Sequence, residues 1–100
     1  MADNYDILRG DHVRAQLDDA KMRLRAVLGF SGYSVEAVAA LSDQQTYDLV
    51  EELAYSGAGG LAADSALQLY DLADHVLERI EKRLAKKAAR RLTAATPADA

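Results

Sequence analysis

Asp71, His75 and Glu78 stand four and three residues apart in a stretch without Gly or Pro. On a helix that spacing sets an imidazole between two carboxylates on one face, a donor set that zinc accepts. Metal sites in helical proteins draw their ligands from several helices. The triplet therefore reads as a surface ionic lattice, and no metal is expected. His12, beside Asp11 at a helix start, has no ligand role. The loop Gly57-Ala58-Gly59-Gly60 lacks the Gly-Lys-Ser/Thr ending of a phosphate cradle, and no strand precedes it. It reads as a turn between helices.

Nucleophilic catalysis has no footing. Ser31, Ser34, Ser42, Ser56 and Ser65 fall where caps and turns need hydroxyls, and none sits in a Gly-x-Ser-x-Gly elbow. Glu51 and Glu52 are adjacent, so on a helix their side chains diverge and cannot act as a carboxylate pair. There is no cysteine, which removes thiolate chemistry and disulfides. Neither an enzyme nor a cofactor or small-molecule substrate is expected.

The feature left standing is charge. Residues 79–92 hold seven of the twelve Lys and Arg and one acid, a local charge of +6; residues 1–78 hold five bases and fourteen acids, a charge of −9. On a 3.6-residue period Arg79, Lys82, Arg83, Lys86, Lys87, Arg90 and Arg91 share half the helix circumference. They create like-charge pairs at 79/83, 82/86, 83/87, 86/90 and 87/91, each costing about 0.2–0.5 kcal/mol in an isolated helix. A solvated helix end tolerates this repulsion, since cations suit a helix C-terminus, and Glu78 with Lys82 adds one favourable pair. A counter-charged partner relieves it. The seven residues are the candidate partner-binding set.

Three partners fit: another protein, the acidic body of a neighbouring copy, or nucleic acid. The arm has no aromatic after Tyr70 and no Asn or Gln after Gln68. It can neutralise phosphates but has no side chains that read bases. Arg14, Lys21 and Arg25 are separated by Asp18 and Asp19. A membrane surface fits less well, because the apolar side of 85–92 is mostly alanine without Trp or Phe anchors.

The elements that must carry this arm are helical. A polar N-terminal arm spans 1–10, and a helix starts near Asp11, an N-cap after Gly10. Val13, Leu17, Ala20, Leu24, Val27 and Leu28 recur at spacings of three and four. Gly29 is placed for a left-handed cap. Ser34 caps a short helix that turns Val35, Val38 and Leu41 to one side. Ser42 and Gln45 have capping-box spacing, and the helix over 43–55 turns Tyr47, Val50, Leu53 and Ala54 inward. The last helix runs from about Ala62 to Thr93, with Leu69, Tyr70, Ala73, Val76, Leu77, Ile80 and Leu84 on its apolar face. Its seam Tyr70, Ala73, Leu77, Ile80, Leu84 continues into Lys87 and Arg91. The apolar seam thus fails after Leu84, where the arm is expected to leave the body. The reading is one all-α domain: three or four helices, a helical body over 11–84, a basic extension over 85–93 and a small-residue tail over 94–100.

Twenty of the residues are alanine, so large apolar side chains are scarcer than the apolar fraction of 50% suggests. A modest core often shares its stability with neighbouring copies. The N-terminus has no signal-peptide pattern, and no run reaches the roughly 18 apolar residues of a membrane span. Abundant Ala, Arg, Asp, Leu and Gly, with two Ile and single Asn and Phe, match GC-rich coding in a bacterium or its phage. The expectation is a non-enzymatic structural or adaptor protein, self-associating, in the cytoplasm or within a phage particle. The alternatives are a nucleic-acid accessory protein that uses the basic helix and a small regulator that inhibits a partner.

Overall fold

A computed structural model describes residues 2–95, with side-chain environments for residues 4–93. Four helices follow in order: α1 (Ala2–Phe30), α2 (Val35–Ala39), α3 (Asp43–Ser56) and α4 (Gly60–Ala95), with no strand among the described residues. The all-α class and the long last helix agree with the sequence. No helix among the described residues is long and apolar enough to cross a membrane.

α1 and α4 lie antiparallel along their lengths, as the pairs Asp6–Lys87 and Arg14–Glu81 show. α3 covers only one end of this hairpin. The molecule measures 64 × 23 × 20 Å, and its radius of gyration is 18.6 Å, against about 13 Å for a compact domain of this length. The core is divided accordingly. At the three-helix end Leu24, Val27, Leu28, Val38, Val50, Ala63 and Ala66 are buried together. Along the two-helix stem Val13 and Leu17 pack against Ala73, Leu77 and Ile80. Alanines at 20, 63, 66 and 73 let the helix backbones approach closely, so small residues do much of the core packing.

The local signals of the linkers are realised in detail. Ser42 and Gln45 form the capping box: the Ser42 hydroxyl accepts from the Gln45 amide at 3.1 Å, and the Gln45 side chain accepts from the Ser42 amide at 2.9 Å. The Ser34 hydroxyl accepts from the Ala37 amide at 3.1 Å. Gly59 is required for contact: a Cβ there would lie 2.5 Å from the Ala63 Cβ and 3.3 Å from the Leu53 Cβ.

Several expectations are corrected. α1 begins at Ala2 rather than near Asp11, so residues 2–10 are helical. Asp6, Gly10, Val13 and Leu17 form one buried stripe facing α4, which carries the helix past the N-terminal side of Asp11. α1 ends one residue beyond Gly29. The left-handed residue is Gly32 (φ 104°), where Tyr33 N–H donates to the Leu28 carbonyl at 3.1 Å and Gly32 N–H to the Gly29 carbonyl at 3.2 Å. That is a Schellman closure three residues later than the sequence suggests. Val35, the first residue of α2, is exposed, while Val38 is buried in the three-helix core. α4 continues through Thr93 to Ala95; the rest of the expected tail, residues 96–100, lies outside the described residues.

Candidate partner interface

The seam of α4 does not end at Leu84. One turn on, Lys87 donates to Asp6 of α1, and Arg83 stands 3.9 Å from the other Asp6 oxygen. The Asp6 side chain is only 4% exposed. The Lys87 hydrogen bond is the chief cause that holds its carboxyl below the usual carboxylate range, opposed by burial and helped by the charges of Lys87, Arg83 and Arg9. The basic extension is therefore clasped to the body by a charged layer where the apolar layers stop. The expected departure after Leu84 is corrected on this point, since an ion pair takes over the seam position that a leucine would fill.

The seven candidate residues fall into two sets. Arg83 and Lys87 turn toward Asp6. Arg79, Lys82, Lys86 and Arg90, spaced three, four and four residues apart, are exposed along the outward side of α4. Lys82 makes the expected pair with Glu78 at 3.2 Å, between two exposed side chains. Arg91 is also exposed, on another side of the helix. Of the like-charge pairs, 82/86 and 86/90 lie wholly in the outward row.

Sequence reasoning missed Arg9. It lines a small cleft with Val76, Arg79, Ile80 and Arg83, so α1 adds a cation to the basic patch. The usable signal was the four-residue step from Asp6 to Gly10, which extends the core stripe of α1 and sets Arg9 beside it.

The body's own charges are engaged differently. Asp43, in the first turn of α3, accepts from Arg25 at 2.8 Å and lies 3.2 Å from Lys21. The Arg25 hydrogen bond leads in lowering its carboxyl pKa. Thus Lys21 and Arg25 anchor α3 to α1 and are not part of a basic binding surface. Arg14 is shared by Asp11 and Glu81 at 3.0 and 3.3 Å. Asp71 accepts from the Tyr47 hydroxyl at 2.8 Å. Burial and this bond push the Tyr47 phenol up to about 12. Tyr47 also stacks obliquely on Tyr70, with ring centroids 5.1 Å apart. With Asp71 bonded to Tyr47 and Glu78 to Lys82, the carboxylates flanking His75 serve the fold's surface. No group of three His, Asp or Glu side chains able to hold a metal ion occurs among the described residues.

Compared with known protein families, curated proteins and solved structures, the chain matches none.

Proposed function

We propose that this is a non-enzymatic assembly or adaptor protein that self-associates or captures an acidic protein surface through the outward face of α4. The observation that carries the reading is the row Arg79, Lys82, Lys86 and Arg90: four cations on one solvent face, of which only Lys82 has a carboxylate partner among the described residues. Keeping such a row costs helix stability through repulsion at 82/86 and 86/90. A partner carboxylate surface offsets that cost, and the chain itself carries such surfaces. The elongated hairpin suits end-to-end or side-to-side assembly, including assembly in a phage particle.

The nucleic-acid reading uses the same row, and one experiment separates the two. Replacing Arg79, Lys82, Lys86 and Arg90 by Gln leaves Lys87 and Arg83 on Asp6, so helicity by circular dichroism is retained. The reading expects the variant to lose self-association or acidic-protein capture, while parent and variant both bind nonspecific duplex DNA weakly. Strong DNA binding by the parent, falling steeply with salt and lost in the variant, would transfer the row to phosphate neutralisation.

A further inference from the structure

α3 covers one flank of the α1–α4 hairpin. The opposite flank is open and has an apolar floor. There Leu69, Leu72 and Val76 of α4 line a shallow groove with Val13 and His12 of α1. Leu72 is 64% exposed and Leu69 42%, so two leucines on neighbouring turns face water. Exposed leucines this close together on a folded stem mark a contact surface more readily than singly scattered ones.

The groove is continuous with the basic cleft, since Arg9 and Val76 line both. On α4 the positions 65, 69, 72, 76, 79, 83, 86 and 90 step by four, three, four, three, four, three and four residues. That is a heptad row on the helix surface. Its first half is Ser65, Leu69, Leu72 and Val76, and its second half is Arg79, Arg83, Lys86 and Arg90, with Arg83 half-exposed and standing beside Asp6 of its own chain. The helix is polarised in the same sense. Residues 60–78 carry four carboxylates and no Lys or Arg, whereas residues 79–95 carry seven bases and one acid.

We propose that this face is a two-fold interface between two copies of the chain, with the α4 helices antiparallel and the axis near Leu72–Ala73. A parallel pairing sets basic half on basic half. The antiparallel pairing carries the two basic halves to opposite ends of the pair and makes the same patch serve both copies, as a two-fold interface requires. With the axis there, Leu72 meets its own copy, Leu69 meets Val76, and Asp64 of each chain faces Lys82 of the other. Asp64 and Lys82 lie on the same side of the row, eighteen residues or five turns apart, which brings them together across the axis. The inference rests on the self-association reading above and names the surface that performs it.

The absence of native cysteine makes the test direct. Leu72→Cys is expected to form an interchain disulfide under mild oxidation, while Glu36→Cys, on exposed α2 at the far end, stays monomeric. Mixing Asp64→Cys with Lys82→Cys is expected to give the mixed disulfide in preference to either homodimer. Light scattering of the unoxidised parent should give twice the monomer mass, and Leu72→Ser should move it toward monomer with helicity unchanged. Homodimers of Asp64→Cys and of Lys82→Cys in place of the mixed product would establish a parallel pair and overturn the arrangement. A dimer indifferent to Leu72→Ser and uncrosslinked at position 72 would place the interface elsewhere. A monomeric parent at every concentration overturns the inference and leaves capture of an acidic protein, lost in the Arg79/Lys82/Lys86/Arg90→Gln variant, as a separate result.

Discussion

Ile80 is the residue on which the two-helix stem depends. Its side chain is fully buried among Val13, Leu17, Ala73 and Leu77, and its Cγ2 lies 3.5 Å from where a Cβ would stand on Gly10. Ile80→Ala removes three carbons. At about 0.8 kcal/mol per buried methylene the transfer loss is about 2.4 kcal/mol, and the residual cavity adds to it. The stem has only two helices, so they can close partly on the space; the total should be about 3 kcal/mol. For a domain of this size that lowers Tm by roughly 12–24 °C. Thermal and urea unfolding followed by circular dichroism measure it, with Val35→Ala and Arg90→Ala as exposed controls expected within about 0.5 kcal/mol of the parent. Leu77→Ala should resemble Ile80→Ala. A loss below about 1 kcal/mol for Ile80→Ala, or a loss equal to that of Arg90→Ala, would refute the packed stem and with it the position assigned to the basic row.

Three further outcomes are expected. Gly10→Ala should stabilise the protein by up to about 1 kcal/mol, because alanine favours the helix interior and its Cβ meets Ile80 and Arg14 at ordinary contact distances of 3.5 and 3.6 Å; a lower Tm would mean that α1 is not continuous through this point. Tyr47 is protonated in the fold up to about pH 12, above the ordinary phenol value, so it stabilises the fold below about pH 10 and that contribution is lost as pH rises from about 10 to 12. Burial also raises the Tyr70 phenol, so phenolate absorbance should show late-titrating tyrosines, of which Tyr47→Phe removes one. Asp6 and Asp43 have lowered pKa values, so their contribution is present above the unfolded carboxylate pKa near 4 and is lost as pH falls through the lower folded values. Asp6→Asn should flatten this acid loss and speed amide exchange in residues 84–92 at neutral pH; unchanged exchange there would show that the Lys87–Asp6 contact does not hold the arm.

The sequence makes the helices legible where apolar residues recur without a competing signal. Val13 to Leu28 and Leu77 to Leu84 follow that rule, and Ser42 with Gln45 announces its capping box. It fails where polar or small residues occupy core positions. Asp6 and Gly10 look like the end of a pattern because neither is apolar, yet both lie on the buried stripe; their partners, Lys87 and Ile80, are some seventy to eighty residues away in sequence. The heptad seam does set Lys87 on the inward side and Lys86 off it, but the same long-range pairing hides the carboxylate that meets Lys87 there, since Asp6 lies 81 residues away in sequence. Thr46, buried with its hydroxyl donating to the Ser42 carbonyl at 2.8 Å, and Ala63 and Ala66 were missed for a related reason: a polar or small side chain carries little apolar signal until the facing helix is known. Gly29 misled because its neighbour Gly32 closes the helix equally well, and only the depth to which Leu28 packs decides between them.

The central claim is that the outward row of α4 is a contact surface. Molar mass by light scattering, measured over a salt series for the parent and the Arg79/Lys82/Lys86/Arg90→Gln variant, tests it most directly. The prediction is a parent mass above monomer at low salt that declines as screening grows, and a variant of unchanged helicity that is monomeric throughout. Identical masses for the two proteins at every salt concentration, together with equal capture of an acidic protein, would contradict the claim and reduce the row to a solvated helix end.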